Sequence, residues 1–177
     1  MKAAFAPREL KITATEAVAA ALAAGLALSL GLPIWAMFLG WNAYFTRGSG
    51  LKSGAVNLGC VLIGLCLGMS AQFVLSTLST QPGVAGQVTS VFAVTWVVLS
   101  LRFLPKFNNV PGFFLGLVAY FASRLEPGWA ALATLGGAAL LGSAAGWLTS
   151  AAQTRWLGAG IVSVAGPHEG PTHEAAV

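Results

Sequence analysis

The side chains able to do chemistry in this chain are few and of one kind. Asn42, Gln72, Asn108 and Asn109 carry amides in or beside apolar sequence, and Trp35, Trp41, Tyr44 and Tyr120 carry aromatic faces with a single polar atom. An amide both donates and accepts hydrogen bonds, while aromatic walls exclude hydrated ions and admit small planar solutes. With Phe38, Phe107 and Phe114 as further walls and a turn at Pro33, the set suits passage of a small uncharged polar molecule. Asn42 is the sharpest member, because an amide is costly in lipid and must face another helix or a water-filled path. Trp35, Tyr44 and Tyr120 suit an aromatic belt at the membrane surface equally well. Gln72 fits packing and path alike, whereas Asn57 and Ser70 are expected to bond between helices.

Other chemistry is missing. No acidic residue lies deep in an apolar segment, Glu16 being near the start of the first, and His168 and His173 both sit near the C-terminus. Coupled transporters and cation pores usually keep an intramembrane acid, a His or a carbonyl filter. No phosphate loop, catalytic Ser–His pair, haem ligand or metal cluster is visible, so no enzyme activity, cofactor or metal is expected. Cys60 and Cys66 have no His or acid nearby and are expected to be small core residues.

These residues sit in a chain of 177 residues that is 56% hydrophobic and only 8% charged, with mean hydropathy +0.79. A soluble domain carries about 25% charged residues. The composition excludes an ordinary soluble enzyme and a disordered chain, and it places the protein in a bilayer. The net charge of +4 comes from cations scattered through the connections, not gathered on one face, so no nucleic-acid partner is expected.

Six apolar segments are legible: about residues 13–32, 33–45, 55–78, 88–104, 111–123 and 128–151. A span needs roughly 20 apolar residues. The first, third, fourth and sixth qualify; the second and fifth, with about 13 residues each, are short. The first also has some look of a signal peptide, but lacks a small-residue cleavage site followed by soluble sequence. Residues 1–12 are expected as a cytoplasmic N-terminus and 152–177 as a mobile cytoplasmic tail.

The two halves repeat. LSLGLP (28–33) returns as LSLRFLP (99–105), FLGWNAYF (38–45) returns as FLGLVAYF (114–121), and Gly59, Gly64 and Gly68 return as Gly137, Gly142 and Gly146. The offset rises from about 72 to 78, as a few residues inserted around FNNVPG would require. If all six segments cross, Lys2, Arg8, Lys11, Arg47, Lys52, Arg102, Lys106 and Arg155 lie inside and only Arg124 outside. If the short segments fail to cross, the split is nearly even. The positive-inside rule selects the first arrangement. The expected fold is therefore all-α, with six transmembrane helices as two inverted three-helix repeats (13–80 and 88–151). The short helices of inverted repeats mark a path near the midplane, though short helices can also merely thin the bilayer.

At the LP turn and the FLGWNAYF stretch the chain resembles a family of small bacterial inner-membrane proteins of unknown function, the YcdZ-like proteins. The resemblance runs over about residues 12–152 and implies a bacterial inner-membrane location; it brings no active residues. LPIWAMF (32–38) is also similar to the LP-x-x-T-x-P-F turn of urea transporters, which lies beside their selectivity filter. Leu32, Pro33 and Phe38 match, the Thr and the second Pro do not, and the chain is about half as long. That resemblance points toward a urea- or amide-like solute.

The expected function is a channel or facilitator for a small neutral solute (urea, a short amide, ammonia or water), working as a homo-oligomer in the lipid bilayer. Two alternatives stand beside it. A secondary transporter or exporter would accumulate its substrate against a gradient. A non-transporting membrane interaction protein would respond to Asn42→Ala and Tyr44→Phe in assembly but not in flux.

Overall fold

A computed structural model of the chain describes residues 7–48, 50–78, 84–103, 105 and 107–157. These residues form six α-helices and no strand: α1 (Pro7–Ser29), α2 (Ile34–Tyr44), α3 (Leu51–Leu78), α4 (Val84–Ser100), α5 (Val110–Ser123) and α6 (Trp129–Leu157). Short 3₁₀ turns follow α2 (Phe45–Arg47) and α4 (Leu101–Phe103). α1 begins before residue 13 and α6 continues past residue 151, so helix extends at both ends into segments expected to be terminal. The tail beyond Leu157 lies outside the described residues.

Local chemistry sets the helix ends. α1 stops in a Schellman motif: Gly31 takes φ +67°, its N–H bonds the Leu28 carbonyl at 3.1 Å, and the Leu32 N–H bonds the Ala27 carbonyl at 2.8 Å. Pro33 then starts α2 as its N-cap, without a side-chain cap. α5 starts differently. Asn109 is its N-cap, and its Oδ1 accepts the Gly112 N–H at 3.3 Å.

Four helices are long and apolar enough to cross a membrane: α1, α3, α4 and α6. Half of the α6 span and 39% of the α3 span are buried, against 11% for α1 and 6% for α4, so α3 and α6 are central and α1 and α4 peripheral. α2, with 11 residues, and α5, with 14, are shorter than the roughly 20 residues of a full span.

Each short helix packs mainly on the long helix of the other half, α2 on α6 and α5 on α3. Glycines make this possible. A Cβ on Gly142 would fall on the Met37 carbonyl, and a Cβ on Gly64 would fall on the Phe113 carbonyl. A Cβ on Gly40 would strike Ala139, and one on Gly116 would strike the Val61 carbonyl. The Tyr44 ring covers Gly146 as the Tyr120 ring covers Gly68. Each tyrosine makes an edge-on contact with the following phenylalanine, Phe45 or Phe121. All these pairs stand about 76 or 78 residues apart.

The surface repeats the pattern. A groove of about 610 Å³ lies between α1 and α6, and one of about 220 Å³ between α3 and α4. Every residue lining the smaller groove has its counterpart in the larger: Val94 and Val97 answer to Ala23 and Leu26, and Leu67 and Ala71 to Ala145 and Thr149.

The order of contacts gives each helix a sense. Leu32, Gly40 and Tyr44 meet Gly137, Ala139 and Gly146 in rising order, so α2 runs parallel to α6. Gly112, Gly116 and Tyr120 meet Cys60, Gly64 and Gly68, so α5 runs parallel to α3. Glu16, in the first half of α1, bonds Gln153 near the end of α6 at 3.0 Å, while Leu32, just past the end of α1, meets Gly137. α1 is therefore antiparallel to α6. Tyr44 packs on Gly54, and Leu65 shares a core cluster with Ala36 and Met37, so α3 runs back along α2.

Candidate functional site

The polar side chains gather at the two ends of the four-helix centre, and the two ends differ. At the end formed by the start of α3, the start of α5 and the turn after α2, Asn57 and Asn109 are 0% and 3% exposed. The Asn109 amide donates to Thr46 Oγ1 at 2.6 Å and to Asn57 Oδ1 at 2.8 Å. Asn57 Nδ2 in turn donates to the Tyr44 carbonyl at 3.0 Å. The network ties α2, α3 and α5 together, with each buried amide satisfied. The exposed Phe107 lies beside it, its ring 3.1 Å from where a Cβ on Gly59 would stand.

At the opposite end, between the LP turn, the end of α5 and the first turns of α6, lies a hollow of about 450 Å³. Leu28, Gly31, Pro33, Trp35, Thr134 and Leu135 are among its walls, and Ser123 contributes a hydroxyl. That hydroxyl donates to the Tyr120 carbonyl at 2.7 Å and accepts from the Leu125 N–H at 3.2 Å.

The structure separates the residues singled out in the sequence into three groups. Tyr44, Asn109 and Tyr120 are buried; Pro33, Trp41, Gln72 and Phe114 are half-buried; Trp35, Phe38, Asn42, Phe107 and Asn108 are exposed. Asn42 and Asn109 thus do not converge. Asn42 shares with Trp35 and Phe38 an exposed face of α2, where no hydrogen-bond partner for its amide is found among the described residues. Buried inside instead are the Tyr44 and Tyr120 hydroxyls, for which no hydrogen-bond partner is found among the described residues. Ser143 bonds the Gly40 carbonyl at 3.0 Å across the α2–α6 contact. Sequence reasoning passed over Ser143; its signal was position alone, one residue after Gly142.

Asn57 bonds between elements, while Ser70 bonds back to Cys66 in its own helix at 2.8 Å. Cys60 is buried, but Cys66 is exposed on the bundle surface and so is not a core residue. Among the described residues, no three His, Cys, Asp or Glu side chains come together to hold a metal.

Residues 14–151 match the family described as "Protein of unknown function (DUF1097)". The chain belongs to that family. A relative from Escherichia coli (strain K12), the inner membrane protein YcdZ, is 33% identical over 117 residues, covering 65% of this chain and 70% of its own length. No solved structure matches the chain significantly. The relative and the four apolar spans together make this DUF1097 protein a multi-pass inner-membrane protein.

Proposed function

We propose that this DUF1097 protein is a passive channel or facilitator for a small uncharged polar solute such as urea, a short amide, ammonia or water, and not an enzyme. In this reading all six helices cross the membrane, the two halves are inverted repeats, both termini are cytoplasmic, and copies assemble as a homo-oligomer. The observation that carries it is the exchange of short helices, α2 onto α6 and α5 onto α3. With α1 antiparallel to α6, α2 parallel to α6 and α3 running back along α2, the senses alternate along the chain. An α3 parallel to α1 requires α2 to return the chain across the bilayer. Three passes per half invert the second half, the arrangement in which short helices flank a midplane path. The scarcity of ionisable side chains in the spans supports a neutral solute over a coupled ion.

Light scattering of proteoliposomes after an osmotic jump tests this, with water, urea, formamide and glycerol compared against protein-free vesicles. Fast, non-saturating flux of one solute, well above that of protein-free vesicles, is the expected result. Flux no faster than bare lipid for every solute sinks the channel.

One observation favours a second reading. The outer face of α2 leaves the apolar Phe38 and the Asn42 amide exposed, a surface of the kind through which a non-transporting interaction protein would dock. That reading predicts changed assembly without flux.

A further inference from the structure

The two ends of the bundle are built to one plan and finished differently. In the register shared by α2 and α5, Asn109 stands where Pro33 stands, and each is the N-cap of its short helix. In the register shared by α3 and α6, Asn57 answers to Leu135 and Val56 to Thr134. At one end Pro33, Thr134 and Leu135 border the hollow of about 450 Å³. At the other, Asn57 and Asn109 are buried and bonded to each other at 2.8 Å.

The cause is in the chain. The offset between the halves grows by about four residues between the LP turns and the short helices, so the second half has extra residues just ahead of α5. That stretch supplies the Phe107 ring over Gly59, whereas Gly137, the counterpart of Gly59, meets only Leu32 Cδ2 at 3.8 Å. The stretch also supplies the Asn109 amide.

We propose that the hollow is an open vestibule that receives the solute, and that the Phe107–Asn109 stretch with Asn57 is a latch closing the opposite end. The inference rests on the channel reading and adds to it where the solute enters and what holds the path shut. By the charge distribution, the hollow, near Arg124 alone, faces outward, and the latch, beside Arg47, Lys52 and Arg102, faces the cytoplasm. Among the described residues, no charged side chain lines the hollow. The Trp35 ring offers a flat wall, the Thr134 hydroxyl can donate and accept, and the Ser123 oxygen, its proton already given to the Tyr120 carbonyl, can accept. The ligand class is a small, planar, uncharged solute that both donates and accepts.

The test is sided thiol labelling. In a Cys60→Ala, Cys66→Ala background, Thr134→Cys and Val56→Cys are treated with a membrane-impermeant maleimide, in spheroplasts and in inverted membrane vesicles. Thr134→Cys is expected to react from outside at least about tenfold faster than Val56→Cys reacts from the cytoplasmic side. Adding Asn109→Ala, which removes the bonds to Thr46, Asn57 and the Gly112 N–H, is expected to speed the Val56→Cys reaction about tenfold or more. If Asn109→Ala fails to accumulate as a folded protein, Asn109→Ser keeps the helix cap and still breaks the reach to Asn57.

Equal rates at the two positions, reaction of Thr134→Cys only from the cytoplasmic side, or no response to loss of the Asn109 amide overturns the proposal. Asymmetric labelling without solute flux in proteoliposomes would instead remove the channel and leave the vestibule and latch. Flux with symmetric labelling would do the reverse.

Discussion

The amide nitrogen of Asn109 lies 2.8 Å from Oδ1 of Asn57, and the two residues come from opposite halves of the chain. That bond joins the start of α5 to the first turns of α3, and the Asn57 amide passes the connection on to the Tyr44 carbonyl at the end of α2. A buried amide that loses its partner is left as an unsatisfied polar group, which is costly.

Asn57→Leu and Asn109→Ala are each expected to destabilise the protein by about 1–3 kcal/mol, because each strands a buried polar group. Removing both is expected to cost less than the two losses added together, since the pair shares one bond. Thermal unfolding in detergent of the two single variants and the double variant checks this. Additive losses would show that the bond contributes nothing to stability.

The glycines at the crossings are expected to tolerate no side chain. Gly64→Ala and Gly142→Ala put a methyl group onto a backbone carbonyl of the facing short helix, and backbone cannot rotate away. Overpacking of this kind costs typically about 1–3 kcal/mol. Gly25→Ala, with nothing near its added Cβ, is expected to leave the melting temperature unchanged or slightly raised. Parallel melting curves of the three variants are the measurement.

Tyr44 and Tyr120 make an unusual prediction. Their rings fill space against Gly146 and Gly68, but no partner is found for their hydroxyls among the described residues. Replacing such a group by an apolar one of the same shape is nearly neutral or stabilising. Tyr44→Phe and Tyr120→Phe are expected to melt at or above the parent temperature, whereas the alanine variants lose about 3–5 kcal/mol with the ring. A clear drop in either Phe variant would reveal a hydroxyl partner that forms in the membrane.

The outer face of α2 is expected to be covered by another copy. Phe38 is 43% exposed there, and Asn42 is exposed beside it; the matching position on α5 is the apolar Val118. An amide turned toward lipid gains by pairing across helices, worth about 0.6–2 kcal/mol. Asn42→Cys in a background without Cys60 and Cys66 is expected to form disulfide-linked dimers in membranes, and Val118→Cys is not. Asn42→Leu is expected to shift the protein toward monomer in native gels. Equal cross-linking at both positions would argue against a specific interface.

The sequence by itself determined the solvent and the parts. Scarcity of charge and runs of about 20 apolar residues required a bilayer, and the four long helices stand where those runs lie. The repeated FLG–AYF and spaced glycines marked which positions correspond; Gly64 and Gly142, Gly68 and Gly146, and Gly40 and Gly116 do make corresponding contacts, while Gly59 and Gly137 do not. Gly31 and Pro33 fixed the turn between α1 and α2 through purely local geometry.

Only the tertiary structure decided the partners. In water, burial of an apolar stripe tells which face of a helix turns inward; in lipid every face is apolar, and small residues and rare hydrogen bonds take over that choice. Nothing along the chain said that α2 would lie on α6 and not chiefly on its own neighbours. Asn42 and Asn57 look alike as letters in apolar sequence. One ends on the outer face and the other at the centre, because only Asn57 meets an amide brought 52 residues along the chain by the crossing of α5 over α3.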